Sequence, residues 1–170
     1  MPAKKSKKIP PAAWRKIKLF AMDVDGILTD SSLHISSDGT ETKTFSVIDG
    51  HGLAQLRKAG IITAWISGRA SGATTVRANE LKIPHLIQGN NVKLAELQKL
   101  AAQLNLVPAQ IAYMGDDDID APAMRWAAIA ATVPTAMPPA HAAADIITKR
   151  PAGRGAVREI CDHILAAHAK

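Results

Sequence analysis

The sequence predicts an α/β domain built on a doubly wound parallel sheet. Three observations carry that expectation. From residue 17 onward, short apolar runs alternate with helical segments. Those runs lack the apolar–polar alternation of a half-solvated sheet, so both faces need cover, which parallel strands receive from crossover helices. The length, 170 residues, suits one domain with a single sizeable core.

Residues 17–22 form an apolar run closing on Asp23, a buried strand. Over 33–47, Leu33 and Ile35, then Thr42, Thr44 and Ser46, alternate about Asp38-Gly39, the signal of a β-hairpin inserted after the first strand. A short helix over 53–59 stops at Gly60, and 61–66 is a second buried strand reaching Ser67. Ser71 is the expected N-cap of a helix over 71–82, followed by a brief strand at 85–87. Over 92–105, Leu94, Leu97, Leu100, Ala101 and Leu104 line one side of an amphipathic helix. A third buried strand, 111–114, ends in Gly115-Asp116, and 119–128 is helical, tolerating Pro122 in its first turn. Two short strands at 129–133 and 145–148 and a helix over 155–168 complete the chain.

Aromatic residues are only 4% of a chain that is 47% hydrophobic, so Ala, Ile, Leu and Val make most of the core. The net charge of +6 invites a nucleic-acid reading, but seven of the 21 basic residues lie before residue 19. The remainder holds 14 basic and 15 acidic residues and is close to neutral. Residues 1–16 therefore read as a flexible basic tail with prolines, residues 17–170 as the folded domain, and no nucleic-acid partner is expected. No apolar run is long enough to span a membrane, and no apolar segment follows the basic start to make it a secretory leader. The single cysteine, Cys161, has no partner for an internal disulfide, which suits a reducing cytoplasm; it reads as a small buried residue.

Ligands of open α/β sheets bind beyond the carboxyl ends of the strands. That rule singles out Asp23-Val24-Asp25-Gly26, Ser67-Gly68-Arg69 and Gly115-Asp116-Asp117-Asp118, with Asp120 close behind. Carboxylates gathered at one edge repel one another unless a cation or proton compensates. Oxygen ligands alone favour a hard cation such as Mg²⁺, and no Cys/His cluster exists to favour zinc. Asp23, at the strand tip, suits metal ligand and nucleophile; Asp25, displaced by the turn at Gly26, suits proton donor and later base toward water. Ser67, the Gly68 amide and Lys93 are candidates to hold a phosphoryl group, Lys93 because a cation at a helix start makes sense facing an anion. Singly, each has a plainer meaning: a turn cap, a surface lysine, a solvated acidic loop. Their arrival in order at successive strand ends is what points to phosphoryl chemistry.

In that order the residues resemble the four motifs of the haloacid dehalogenase superfamily of phosphatases: Asp23-Val24-Asp25-Gly26, Ser67, Lys93 and Gly115-Asp116-Asp117-x-x-Asp120. The stretches around Asp30, Asp49-Gly-His51-Gly52, Ile66-Ser-Gly-Arg69, Gln88-Gly89 and Gly153-Arg154-Gly155 are further similar to the branch that hydrolyses octulosonate 8-phosphate, over about residues 17–168. The resemblance implies a Rossmann-like core, Mg²⁺ held by Asp23, the Asp25 carbonyl and Asp116, and Asp117 and Asp120 in support. It implies an aspartyl-phosphate route and a place in lipopolysaccharide synthesis. Arg69 is then a candidate for the sugar carboxylate, and His51 for the pocket wall. About forty residues separate Asp25 from Ser67, too few for a separate cap domain once the hairpin is counted. The resemblance implies a homotetramer in which a neighbour closes the site, with Arg154 reaching across. Asp118 is an extra charge beside the motif, and the basic start lies outside the resemblance.

Two other readings remain open at this point. A phosphatase for another acidic sugar phosphate, such as a sialic-acid-type 9-phosphate, would share every motif. A receiver-like phospho-acceptor domain would also place acids at strand ends, but near its third strand and without a hairpin.

Overall fold

A computed structural model of the chain describes residues 8–169. In chain order its strands are β1 (Leu19–Met22), β2 (His34–Ile35), β3 (Glu41–Thr42), β4 (Ile62–Ser67), β5 (His85–Gln88), β6 (Ile111–Met114), β7 (Ile129–Thr132) and β8 (Ile146–Ile147). The helices are α1 (Pro11–Arg15), α2 (Val47–Lys58), α3 (Gly72–Leu81), α4 (Lys93–Gln103), α5 (Ala121–Trp126), α6 (Pro138–Ala143) and α7 (Ala156–His168). Six strands form one parallel sheet in the order β5-β4-β1-β6-β7-β8, and β2 pairs antiparallel with β3 in a separate ribbon.

The two-residue period of a strand sorts the core into two layers. Phe20, Met22, Trp65 and Met114 pack on one side with Leu53 and Leu56 of α2 and Val157, Ile160 and Ile164 of α7. Leu19, Ala21, Ile66 and Tyr113 pack on the other with Leu97 and Leu100 of α4, Met124 of α5 and Ala140 of α6. Both faces are covered, as the apolar strands require. α2 and α7 cross closely enough that a Cβ on Gly52 would meet Arg158 Cδ at 2.8 Å and Cys161 Cβ at 3.1 Å.

Register sets the site. Met22 lies beside Trp65 and Met114, so β1 and β6 end level and β4 runs on to Ser67. The Asp23 amide still donates to the Met114 carbonyl (2.9 Å), which fixes the first residue past β1 against the end of β6.

Several expectations change. The expected tail of residues 1–16 gives way to structure before residue 16: α1 starts on Pro11, and Trp14 is buried with its ring stacked 5.3 Å from that of His163 on α7. Arg15 Nε donates to the Ala167 carbonyl as well (3.2 Å). Trp14 and the fully buried Ile17, three residues apart, bury apolar area that outweighs the surrounding charge. Residues 1–7 lie outside the described residues. α2 begins at Val47, not 53, because the Ser46 hydroxyl caps it by accepting from the Asp49 amide (3.3 Å); two internal glycines had hidden its first turns. α6, behind two prolines, was not anticipated, although proline fits a first helical turn. The hairpin pairs over only two residues per strand, and the expected Asp38-Gly39 turn closes it, with the Thr40 amide donating to Asp38 Oδ1 (2.9 Å). No helix among the described residues is long and apolar enough to cross a membrane.

Candidate active site

The ends of β1, β4 and β6 and the start of α4 surround a cavity of about 430 Å³. Asp23, Asp25, Ser67, Gly68, Arg69, Lys93 and Asp117 line it, joined by Ser31, Leu33, Asn91 and Ile119. One side chain each of Asp23, Asp116 and Asp120 offers an oxygen within 4.8 Å of the other two. Gly26 makes this possible: at φ +95° it turns the chain so tightly that a Cβ there would sit 2.0 Å from Asp116 Oδ2.

Lys93, 1% exposed, is the counter-charge. Its Nζ lies 2.7 Å from Asp23 Oδ1 and 2.8 Å from Asp120 Oδ1. Asp120 is fully buried and its acceptors are filled. Oδ1 takes Lys93 and the Tyr113 hydroxyl (2.8 Å), and Oδ2 takes the amides of Asp116 and Asp117 (3.2 Å each). Asp120 therefore holds the loop and the lysine and does not face a ligand. Asp116 Oδ1, in contrast, is buried with no partner among the described residues.

Three carboxylates against one ammonium leave an excess of buried negative charge. Burial, then the Asp120 charge, push Asp23 up to about 8 although Lys93 pulls it down. Burial and Asp120 likewise raise Asp116 to about 7. Burial alone would pull Lys93 down, but Asp23 and Asp120 more than offset it and keep it charged. The cluster thus holds a proton wherever no cation compensates. The orphaned Asp116 oxygen and the all-oxygen donor set fit a hard divalent cation between Asp23 and Asp116.

Ser67 is buried and shaped by its own loop: its hydroxyl donates to the Arg69 carbonyl (3.0 Å) and accepts from the Arg69 amide (3.2 Å). Arg69 reaches the cavity rim, where Nε (2.9 Å) and Nη2 (2.5 Å) donate to Glu41 Oε2 on the hairpin. Asp118 is exposed and does not line the cavity, although its neighbours Asp117 and Ile119 do. His51, expected as pocket wall, stands exposed on α2, and Arg154 is exposed on the turn before α7; neither lines the cavity of its own chain. Their segments serve packing instead. Asp49 accepts from the amides of Gly155 (3.0 Å) and Arg158 (2.8 Å), so the Asp49 region caps α7.

Glu41, Lys43, Tyr113 and Asn91 were not anticipated. Glu41, Lys43 and Phe45 alternate opposite Thr42, Thr44 and Ser46, and that inward period was the available signal for the first two. Tyr113, inside an apolar strand, carries no mark that separates it from core.

A profile of haloacid dehalogenase-like hydrolases matches residues 71–160. The 3-deoxy-D-manno-octulosonate 8-phosphate phosphatase KdsC of Yersinia pestis is 42% identical over 154 residues, covering 91% of this chain and 82% of that one. Its counterpart from Escherichia coli K12 is 39% identical over 159 residues, covering 94% and 85%.

The chain belongs to the haloacid dehalogenase-like hydrolases.

Among solved structures, the 3-deoxy-D-manno-octulosonate 8-phosphate phosphatase of Moraxella catarrhalis, crystallised with magnesium, phosphate and KDO, superposes with a TM-score of 0.90 at 46% identity, covering 92% of this chain and 90% of that one. As a haloacid dehalogenase-like hydrolase the chain is an enzyme, a phosphatase, and the receiver-like alternative falls.

Proposed function

We propose that the chain hydrolyses 3-deoxy-D-manno-octulosonate 8-phosphate to the free sugar acid and phosphate, with Mg²⁺ as cofactor, as a step toward lipopolysaccharide. The observation that carries this is the Asp23 carboxylate, at the cavity floor against Lys93, in a chain about 40% identical to enzymes of that name. Asp23, the Asp25 carbonyl and Asp116 would hold the ion, which when bound offsets the carboxylate charge and polarises a phosphoryl oxygen.

The chain's own groups do the rest. An Asp23 oxygen attacks phosphorus, the phosphorus–sugar oxygen bond breaks, and Asp25 gives its proton to the departing alkoxide. Water then attacks the aspartyl phosphate, Asp25 takes its proton, and phosphate leaves. An ammonium has three N–H donors, and Asp23 and Asp120 take two from Lys93. The third is left for a phosphoryl oxygen, beside Ser67 and the Gly68 amide. Arg69 is the cation placed to meet the sugar carboxylate, in exchange for Glu41. The test is phosphate release across acidic sugar phosphates. The eight-carbon substrate should give the highest kcat/KM, and a higher value for a nine-carbon 9-phosphate would replace this reading.

Metal dependence carries a sign. Asp23 and Asp116 bind protons in the fold more tightly than the ordinary 3.8 of an unfolded chain. Without metal, the fold therefore loses stability as pH rises from about 4 to about 8. A cation competes for those oxygens, so its stabilisation should grow through the same upper range. Melting curves with Mg²⁺ and with chelator should separate more at pH 8 than at pH 6; an equal gap would count against the metal site.

We also propose a cytoplasmic homotetramer. Ile35 on the hairpin (61% exposed) and Val47 at the start of α2 (79%) leave an apolar surface that a neighbour would cover while closing the open cavity. Light scattering at micromolar concentration should give four chain masses, and a fully active monomer would overturn it. Recovery of the native protein outside the cytoplasmic fraction would overturn the location.

A further inference from the structure

Lys43 follows β3 in the hairpin, yet its side chain is fully buried. Its Nζ lies 2.7 Å from Asp25 Oδ1 and 2.8 Å from Oδ2, so one ammonium spans both carboxylate oxygens. Thr74 Oγ1 at 3.4 Å and Glu41 Oε1 at 3.7 Å complete its surroundings. A buried ammonium is held in place because leaving its partner would strand a charge. The Asp25 carboxylate, by contrast, is 24% exposed at the cavity. Past the end of β1, a partly exposed aspartate has several rotamers open to it. Lys43 selects among them by gripping both oxygens.

The hairpin itself is latched at the same place. Glu41 Oε2 takes Arg69, and Oε1 takes the Ser71 hydroxyl at 2.5 Å. The lysine's own anchor is thus tied to the loop that follows β4.

We propose that Lys43 is a positioning residue for the reaction: it fixes the direction in which Asp25 presents its carboxyl group to the leaving oxygen of the substrate. The inference rests on the acid role given to Asp25 above. It makes the hairpin part of the chemistry within each subunit.

The test uses kcat/KM with Mg²⁺ present, which reports steps up to the first irreversible one, departure of the leaving group. The substrates are a sugar phosphate, whose alkoxide needs a proton, and p-nitrophenyl phosphate, whose phenolate does not. Lys43→Met keeps length and apolar packing but removes the grip. It should lose about 10²-fold on the sugar phosphate, the effect expected of a misdirected catalytic group, and about threefold or less on the aryl ester. Lys43→Arg, able to span both oxygens, should recover much of the loss. Adding Lys43→Met to Asp25→Asn should cost nothing more on the sugar phosphate. Equal losses on both substrates with Lys43→Met, or full additivity with Asp25→Asn, would overturn the positioning role alone. If Asp25→Asn itself loses equally on both substrates, the acid role fails and the inference falls with it.

Discussion

Asp23→Asn should abolish turnover while leaving the metal-free fold at least as stable as the native protein. Loss of the nucleophile removes the covalent route, and nucleophile deletions in other hydrolases cost about 10⁴- to 10⁶-fold in kcat. The amide keeps the shape of the carboxylate but cannot attack phosphorus. Stability moves the other way because the native side chain sits in repulsion. Asp23 is 5% exposed, and its charged form is disfavoured by burial and by Asp120 strongly enough to bring it to about 8. Replacing it removes one of three clustered carboxylates and leaves Lys93 its 2.8 Å bond to Asp120. In chelator at pH 8 the melting temperature of the variant should equal or exceed that of the native chain, and Mg²⁺ should raise it less. Measurable turnover within tenfold of native would remove Asp23 from the mechanism. A fall in stability in chelator would show that its bond to Lys93 outweighs the repulsion. Sites that gather charge for function at a cost in stability behave as predicted here.

The residues that carry this prediction were legible because they lie where simple patterns end. Apolar runs marked β1, β4 and β6, and the strand-end rule then pointed to Asp23, Ser67 and Asp116 before any contact was known. Spacing also placed Asp120 near them, but not its fourfold acceptor role, which depends on the turn of residues 115–120 back over β6. The hairpin period marks Lys43 as inward, but the group it meets was out of reach for a different reason. Its partner lies 18 residues away across a hairpin, and nothing local fixes how such a ribbon leans on its domain. His51 shows the opposite failure. A polar residue next to glycines in a suggestive stretch belongs to an α2 turn whose buried members serve packing: Asp49 and Gly52 against α7, and Gly50 against Arg77 and Leu81 of α3. At the chain start, charge density concealed α1, since seven basic residues outweigh one tryptophan in composition but not in buried area.

Asp120→Ala should lose both stability and activity, and so separate the supporting acid from the reacting one. The substitution removes four hydrogen bonds at once from a side chain with no exposure. It leaves the Tyr113 hydroxyl buried beside a void, two amides of the 115–120 turn without acceptors, and Lys93 with Asp23 alone. Removing one member of a buried charged pair costs about 3–5 kcal/mol, which for a chain of this size is a fall of roughly 10 °C in Tm. Activity should fall as well, because Lys93 and the Asp116 backbone are both located by this carboxylate. Asp120→Asn is the informative companion. Its amide offers one acceptor oxygen where the carboxylate offers two, so either Lys93 and Tyr113 or the two backbone amides must meet an N–H group. It should therefore be destabilised too, though less than the alanine variant, since the shape is kept. The contrast with Asp23→Asn decides the assignment: one acid whose removal stops chemistry and spares the fold, and one whose removal damages both. If Asp120→Ala instead keeps native stability and loses only turnover, Asp120 is itself a ligand or a reacting group, and the roles of the three clustered acids must be redrawn.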